Sequence, residues 1–293
     1  MRTLVTGAAG MLGTALCQIF KQNDHKVLST DINASAESIK FLDVRNYEQV
    51  RKAFDTYNPE IVIHLAAETD VDKCELEVDH AYLTNTIGTQ NIALCCQKFN
   101  LEMVYISTIG VFDGEKHEPY TEFDEPNPIN VYGKSKLEGE KVVQNLLKRY
   151  YIVRAGWMMG GGPEKDKKFV AKIINQLNKS SKLKVVNDKF GSPTYTVDFS
   201  NCLIKILETG YYGLYHCTNK GTVSRYDVAK KIIEILGRTD IIEPVSSAYF
   251  PLPALRARSE MARNYKLDLL GINIMRPWEE ALENYVKTYW LAK

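Results

Sequence analysis

Apolar residues recur in short, nearly continuous runs along the first half of the chain. These runs cover residues 3–6, 26–29, 40–42, 60–66, 102–107 and 150–154. Unbroken apolar runs of this length are typical of strands that are covered on both faces of a parallel sheet. Segments of helical periodicity separate them, near residues 11–22, 46–57, 78–99 and 131–148. The alternation predicts an α/β fold of the Rossmann type, with a doubly wound parallel sheet.

The pattern changes after residue 155. A glycine-rich loop, GWMMGGGPEKD, leads into shorter predicted strands and helices that contain more prolines. We therefore expect a main domain over residues 1–155 and, over residues 156–293, mainly a smaller C-terminal lobe, some segments of which return to the sheet.

Composition and charge narrow the classes of function. The 293 residues include 37 Lys and Arg against 36 Asp and Glu, so the net charge of +1 offers no field for nucleic acid or an acidic membrane. The N-terminus lacks the pattern of a signal peptide and no apolar segment is long enough to span a bilayer, so we expect a cytoplasmic protein. The six cysteines form no CxxC pair and no zinc spacing, which predicts buried core thiols and no metal site.

The motif TGAAGMLG follows the first predicted strand and opens a helix. Gly7 allows a tight turn, Gly10 lets the backbone approach a pyrophosphate, and Gly13 lets the helix pack closely on the strand. Met11 and Leu12 begin the helix, whose N-terminal N–H groups would face the phosphates. This position in the fold predicts a dinucleotide site, although the same glycines could form a tight turn without a ligand.

Further candidate cofactor contacts lie at the ends of the next strands. Asp31 ends the second strand, where a carboxylate would bind the adenine ribose hydroxyls and favour NADH over NADPH; it could also cap the strand end. Asp43 and Val44 could reach the adenine edge, or Asp43 could be the N-cap of the next helix. Ala66 and Ala67 follow the fourth run, where small residues let the backbone approach a flat ring.

Four polar residues indicate the chemistry. Ser107 and Thr108 end the fifth strand, on the edge where open α/β sheets bind ligands, although a buried hydroxyl there could be structural. Tyr132 and Lys136 lie four residues apart, and on a helix this spacing puts them on one face. A neighbouring ammonium would lower the pKa of the phenol and make it a usable proton donor to a carbonyl above a nicotinamide. Lys136 could also hold the nicotinamide ribose.

These motifs, taken in order, resemble those of the extended short-chain dehydrogenase/reductases. TGxxGxxG, Ser-Thr and YxxxK are present, and between them the pattern NxxGTxN is matched by Asn85, Gly88, Thr89 and Asn91. Within that group the sequence is most similar to the dTDP-4-dehydrorhamnose reductase family. AAETDVDKCE, VFDGEKHEPYTEFDEPNPINVYGKSKLEGE and FGSPTYTVDFS carry this likeness, which covers nearly the whole chain.

The resemblance implies a reductase of the C4 keto group of a nucleotide-activated 6-deoxy sugar, with dTDP-4-dehydro-L-rhamnose as the substrate and NADH or NADPH as the cofactor. It makes Thr108, Tyr132 and Lys136 the catalytic set. Trp157 would lie against the sugar ring, although it could be plain core, and Arg256 would clamp the diphosphate. The resemblance also implies that residues 1–155 form the NAD(P)-binding domain, which carries the catalytic residues, and that the lobe binds the substrate. The resemblance also allows a homodimer.

Two departures from the family pattern affect the substrate more than the chemistry. Ile109 and Gly110 stand where Asp-Tyr is usual, and the late Arg-Pro segment is reduced to Arg256-Ala257-Arg258-Ser259. Two alternatives therefore stay open. One is a sugar-nucleotide 4-epimerase or dehydratase of the same fold, and the other is a non-catalytic, reductase-like regulatory subunit.

Overall fold

A computed structural model describes residues 1–34 and 36–291 of the chain. Residues 35, 292 and 293, which the predicted domain ranges include, lie outside the described residues. The strands are β1 (Arg2–Thr6), β2 (Lys26–Asp31), β3 (Ile39–Phe41), β4 (Ile61–His64), β5 (Glu102–Thr108), β6 (Tyr150–Ala155), β7 (Trp157–Met159), β8 (Lys182–Val186), β9 (Phe190–Gly191), β10 (Pro193–Tyr195), β11 (Gly213–His216), β12 (Val223–Ser224), β13 (Ile241–Val245) and β14 (Ser259–Glu260).

The helices agree closely with the helical periodicity in the first half of the chain. They are α1 (Met11–Gln22), α2 (Tyr47–Tyr57), α3 (Val71–Leu76), α4 (Val78–Tyr82), α5 (Gly88–Phe99), α6 (Val131–Leu146), α7 (Gly162–Lys165), α8 (Phe169–Leu177), α9 (Thr196–Thr209), α10 (Arg225–Ile235), α11 (Tyr265–Leu269) and α12 (Trp278–Val286). Among the described residues, side-chain oxygens cap four of them: Asn46 caps α2, Asp70 caps α3, Asn130 caps α6 and Ser224 caps α10.

A parallel sheet forms the centre of the molecule. Among the described residues it has seven strands in the order β11-β6-β5-β4-β1-β2-β3, and every neighbouring pair is parallel. The chain moves outward from β1 in both directions, so the strand order reverses there. The carboxyl ends of β1, β4 and β5 meet beside this switch point, where open α/β sheets bind their ligands.

Apolar side chains cover both faces of this sheet. On one face α1 and α9 bury Leu16, Phe20 and Phe199 against the strands. On the other face α2, α5 and α6 pack over a cluster that includes Phe54 and Tyr105. Burial on both faces is the physical reason why the strand sequences are nearly continuous apolar runs. The predicted Rossmann-type fold is confirmed.

The helix that the sequence predicts over residues 78–99 is interrupted. A wide π-helical turn, Leu83–Ile87, separates α4 from α5. Within it Asn85 is fully buried, and its side chain bonds the backbone of Glu68 and the hydroxyl of Ser135. These contacts fasten the loop after β4 to helix α6, and π-helical turns of this kind are frequent at functional sites.

The later part of the chain builds a small lobe and also returns to the sheet. A separate apolar cluster that includes Met159, Ile174 and Trp278 forms the core of the lobe. Its short strands pair as β7 with β10, β8 with β13, and β9 with both β12 and β14. Helix α9 packs against α1, and β11 joins the edge of the main sheet beside β6.

Candidate active site

The glycine-rich turn after β1 is tightly packed. A Cβ atom on Gly13 would lie 2.3 Å from the carbonyl oxygen of Gly7, so a side chain there would force the turn apart. Gly7 has a φ of +71°, and a Cβ on it would lie 2.6 Å from the nitrogen of Ala66. The backbone of Ala66, which precedes Ala67 after β4, thus lies against the glycine turn. The contact of these two residues with a cofactor stays a prediction.

The N-terminus of α1 fits a pyrophosphate. Gly10 caps the helix without a side-chain hydrogen bond, and the first turn, which begins with Met11 and Leu12, contains no acidic residue. The free N–H groups and the positive end of the helix dipole therefore face the turn without a protein anion to compete. Leu12 itself is buried against the sheet core, so Gly10 and Met11 present the open surface.

Asp31 braces this turn. One carboxylate oxygen accepts a hydrogen bond from the N–H of Ala9 at 2.9 Å, and the other accepts one from the N–H of Asn33 at 2.8 Å. Asp31 therefore caps the strand end, which is one of the two roles that the sequence allowed, and it also lies against the glycine turn. Its contact with the adenine ribose stays a prediction. A carboxylate has further lone pairs with which it can accept ribose hydroxyls.

Asp43 and Val44 lie in the loop before α2. Asp43 is not the N-cap of that helix, because Asn46 accepts the capping hydrogen bond. Instead Asp43 forms a bidentate pair with Arg45, which lowers the pKa of the carboxyl group. Val44 is buried, and its carbonyl oxygen accepts a hydrogen bond from Asn91 of the NxxGTxN pattern.

Thr108, Tyr132 and Lys136 come from two neighbouring elements. Thr108 ends β5, and Tyr132 and Lys136 lie one turn apart on α6, which packs on β5. Tyr132 is partly buried, whereas Lys136 is only 3% exposed. The Lys136 ammonium lies 4.1 Å from the ring centroid of Tyr105, and no carboxylate among residues 1–34 and 36–291 forms a salt bridge with it. Its Nζ is therefore available to a ligand.

The structure corrects the predicted effect of Lys136 on Tyr132. Burial raises the pKa of Tyr132 to about 12; the Thr108 side chain acts to lower it and Glu260 to raise it. Burial also lowers the pKa of Lys136 to about 7, although Glu140 opposes this change. Lys136 is not among the groups that shift the pKa of the phenol. Tyr132 keeps its proton at neutral pH, which is the state that a proton donor requires.

The structure does not bring Ser107 into the site. Ser107 is 4% exposed, and its hydroxyl donates a hydrogen bond to Glu140 at 2.5 Å. Glu140 also receives a bidentate pair of bonds from Arg154, at 2.8 and 2.7 Å. The predicted substrate contact of Ser107 is thus replaced by a structural one, since this buried network joins β5 to α6. Glu140 lies four residues after Lys136, a spacing that indicates an ion pair within α6 rather than this network, so sequence reasoning missed it.

Trp157 is held by three groups of the lobe. Its indole N–H donates a hydrogen bond to Glu260 at 2.5 Å, and the guanidinium of Arg225 lies 3.5 Å from the ring centroid. Gly191 packs against the same indole, because a Cβ there would lie 2.3 Å from it. Protein groups therefore cover much of the ring, which limits the face that a sugar could contact. Sequence reasoning missed Glu260 and Arg225, and no local spacing signals them.

Arg256 lies at the edge of the lobe. Its guanidinium pairs with Asp72 at 2.9 Å and donates to the carbonyl oxygen of Ala254 at 2.8 Å. Asp72 belongs to α3 in the main domain, so this pair ties the lobe to the loop after β4. The predicted contact with a diphosphate requires the guanidinium to keep some of its five donors free, which this geometry permits.

The remaining predicted features concern cysteines, metals and membranes. All six cysteines are buried and free, as predicted. Within residues 1–34 and 36–291, no group of three or more His, Cys, Asp or Glu side chains is arranged to hold a metal ion. In the same residues no helix has the length and apolar character that crossing a membrane requires.

Comparison with known proteins identifies the family. The RmlD substrate binding domain matches residues 1–290. The chain belongs to this family. It is 42% identical to a crystallised dTDP-4-dehydrorhamnose reductase from Clostridium acetobutylicum, with 98% of this chain and 99% of that chain covered and a TM-score of 0.92.

Two further relatives support the same assignment. A dTDP-4-dehydrorhamnose reductase from Bacillus anthracis, solved in complex with NADP, is 36% identical over 98% of this chain and 99% of that chain, with a TM-score of 0.91. The spore coat polysaccharide biosynthesis protein SpsK of Bacillus subtilis is 36% identical and covers 98% of this chain and 97% of its own length. The family resemblance predicted from the sequence motifs is confirmed.

Proposed function

We propose that this protein reduces the C4 keto group of dTDP-4-dehydro-L-rhamnose, with a nicotinamide cofactor as the reductant. The observation that carries this proposal is the convergence of Thr108, Tyr132 and Lys136 beside the glycine-rich turn at the switch point of the sheet. The relatives of known structure are named for this reductase activity. When bound, NADH or NADPH would supply the hydride.

The residues of this chain orient the carbonyl group and supply the proton that the reduction requires. The hydroxyls of Thr108 and Tyr132 both donate hydrogen bonds to the carbonyl oxygen and so orient the C4 carbon. As negative charge develops on that oxygen, Tyr132 transfers its phenolic proton. Lys136 binds the cofactor ribose through the Nζ that no carboxylate of the described residues occupies. The glycine turn and the first turn of α1 hold the pyrophosphate.

The cofactor is expected to be NADH rather than NADPH. Asp31 keeps a carboxylate against the glycine turn, where it accepts the ribose hydroxyls of NADH and repels the additional phosphate of NADPH. The relative from Bacillus anthracis was solved with NADP, so the preference must be measured for this chain. Asp31→Ala should narrow the difference in KM between the two cofactors.

The test is to mix the purified protein with enzymatically prepared dTDP-4-dehydro-L-rhamnose and to follow the absorbance of reduced nicotinamide, separately with NADH and NADPH. Loss of absorbance together with dTDP-L-rhamnose identified by NMR is the expected result. A protein that binds the cofactor but oxidises neither form with this substrate would contradict the proposal.

The same experiment separates the alternatives. An epimerase would retain its cofactor through purification. It would interconvert two sugar nucleotides that differ in configuration at C4, without net oxidation of the nicotinamide. A dehydratase requires an acidic pair after the Ser-Thr, and here Ile109 and Gly110 occupy those positions. A regulatory subunit would bind cofactor without turnover, although it would have no need of the Tyr132–Lys136 pair. The homodimer and the cytoplasmic location stay predictions.

A further inference from the structure

Glu260 brings a carboxylate from the lobe to the reaction centre. The residue ends β14, which pairs with β9. Its Oε2 atom accepts the hydrogen bond of the Trp157 indole. Its Oε1 atom points in another direction, because it lies 3.3 Å from the position that a Cβ on Gly110 would occupy, and the hydroxyl oxygen of Thr108 lies 3.3 Å from that same position.

The Oε1 atom remains free to accept a hydrogen bond. Within residues 1–34 and 36–291 the side chain of Glu260 has one hydrogen-bond donor, the Trp157 indole, and no salt bridge at 4 Å or less. Arg225 lies on the indole ring rather than on the carboxylate. An ionised carboxylate can only accept hydrogen bonds, so its natural ligand is a hydroxyl or another donor.

We propose that Glu260 is a specificity-determining residue, which fixes Trp157 through one oxygen and accepts with the other a hydrogen bond from the sugar hydroxyl next to the reacting carbonyl. This inference rests on the proposed function, because that function places the carbonyl oxygen against Thr108 and Tyr132. A carboxylate beside Thr108 then faces C3, the ring carbon next to the C4 carbonyl. In a 4-keto-6-deoxy sugar this carbon carries a hydroxyl.

Gly110 provides the room for this carboxylate. Relatives with the usual pattern have a tyrosine at this position, whereas a Cβ at Gly110 already comes within 3.3 Å of both Glu260 and Thr108. A side chain at Gly110 would therefore occupy the space beside the Glu260 carboxylate. Gly110→Ala should lower kcat/KM in the native protein. The same substitution should have a smaller effect in a Glu260→Ala background, because substitutions at two positions that share one space do not have additive effects.

The experiment compares Glu260→Gln and Glu260→Ala with the native protein, using dTDP-4-dehydro-L-rhamnose and its analogue that lacks the C3 hydroxyl. Glutamine can still accept the indole hydrogen bond through its carbonyl oxygen, but it presents an amide donor to the sugar. We expect Glu260→Gln to keep the native Trp fluorescence and to lower kcat/KM about 10- to 100-fold, mainly through KM. Glu260→Ala should change the fluorescence as well.

The decisive measurement is the ratio of kcat/KM for the hydroxylated sugar to kcat/KM for its analogue. The native protein should prefer the hydroxylated sugar by about 10- to 100-fold, and both variants should lose most of that preference. Glu243→Gln, which changes an exposed carboxylate of the lobe, is the matched control and should behave as native. Native discrimination in Glu260→Gln would overturn the role of Glu260 while leaving the reductase in place. Failure of the native protein to turn over the sugar would instead refute the proposed function, and this inference with it.

Discussion

The buried pair of Glu140 and Arg154 allows a sharp prediction about stability. Both side chains are only 2% exposed, and two hydrogen bonds of 2.7 and 2.8 Å join them. Glu140→Gln keeps the shape of the side chain but leaves the guanidinium buried without a counter-charge. Arginine cannot release its proton at accessible pH, so the cation must remain.

The magnitude follows from the surroundings of Arg154. Its other neighbours are the ring of Phe112, 5.1 Å away, and His216, which stays neutral because burial, with help from Arg154, lowers the pKa of the imidazole to about 3. Neither group can replace the carboxylate. Removing one partner of a buried ion pair costs about 3–5 kcal/mol. For a chain of 293 residues this corresponds to a fall in Tm of about 5–8 °C, at about 2 cal/mol/K of unfolding entropy per residue.

The control lies on the same helix. Glu138 is 44% exposed on its side chain and pairs with Lys141, so Glu138→Gln should change the free energy of unfolding by less than about 0.5 kcal/mol. Thermal unfolding followed by circular dichroism measures both variants. A Glu140→Gln protein that unfolds within about 2 °C of Glu138→Gln would refute the reasoning, because the buried charge would then not need its partner.

Three other outcomes follow from the site and the core. Tyr132→Phe should lower turnover by about 10²- to 10⁴-fold and leave cofactor affinity unchanged; normal turnover in steady-state assays would remove Tyr132 from the mechanism. Gly13→Ala should abolish cofactor binding in fluorescence titration, since its methyl group would lie 2.3 Å from a carbonyl oxygen; tight binding by this variant would show that the turn can relax. Burial lowers the pKa values of His64 and His216 to about 3 from 6.5, so below pH 6.5 the unfolded chain takes up protons that the folded protein does not. The free energy of unfolding should therefore fall as the pH falls from 6.5 towards 3, by about 4 kcal/mol at pH 5 for the two groups together. Urea unfolding at pH 7 and at pH 5 measures this loss, and equal urea midpoints at the two pH values would refute it.

Local sequence was sufficient for much of the fold. The apolar runs predict β1 to β6 within a few residues, because burial on both faces of a parallel sheet leaves a signal in each strand by itself. Local sequence did not reveal the π-helical turn that divides the predicted helix over residues 78–99. This turn depends on hydrogen bonds that the buried Asn85 forms with the Glu68 loop and with α6.

Sequence alone determined the glycine turn and the Tyr132–Lys136 pair, since each depends on spacings within one or two turns of chain. It also determined the family, because the family motifs follow one another in order along the chain. Tertiary structure alone decided what surrounds them. Glu260 reaches Trp157 across a separation of 103 residues, and Ser107 is drawn into the core by a carboxylate 33 residues later. Burial then reverses the expected acidity of Tyr132, because a pKa depends on solvation by the whole fold and not on the nearest charge in the sequence.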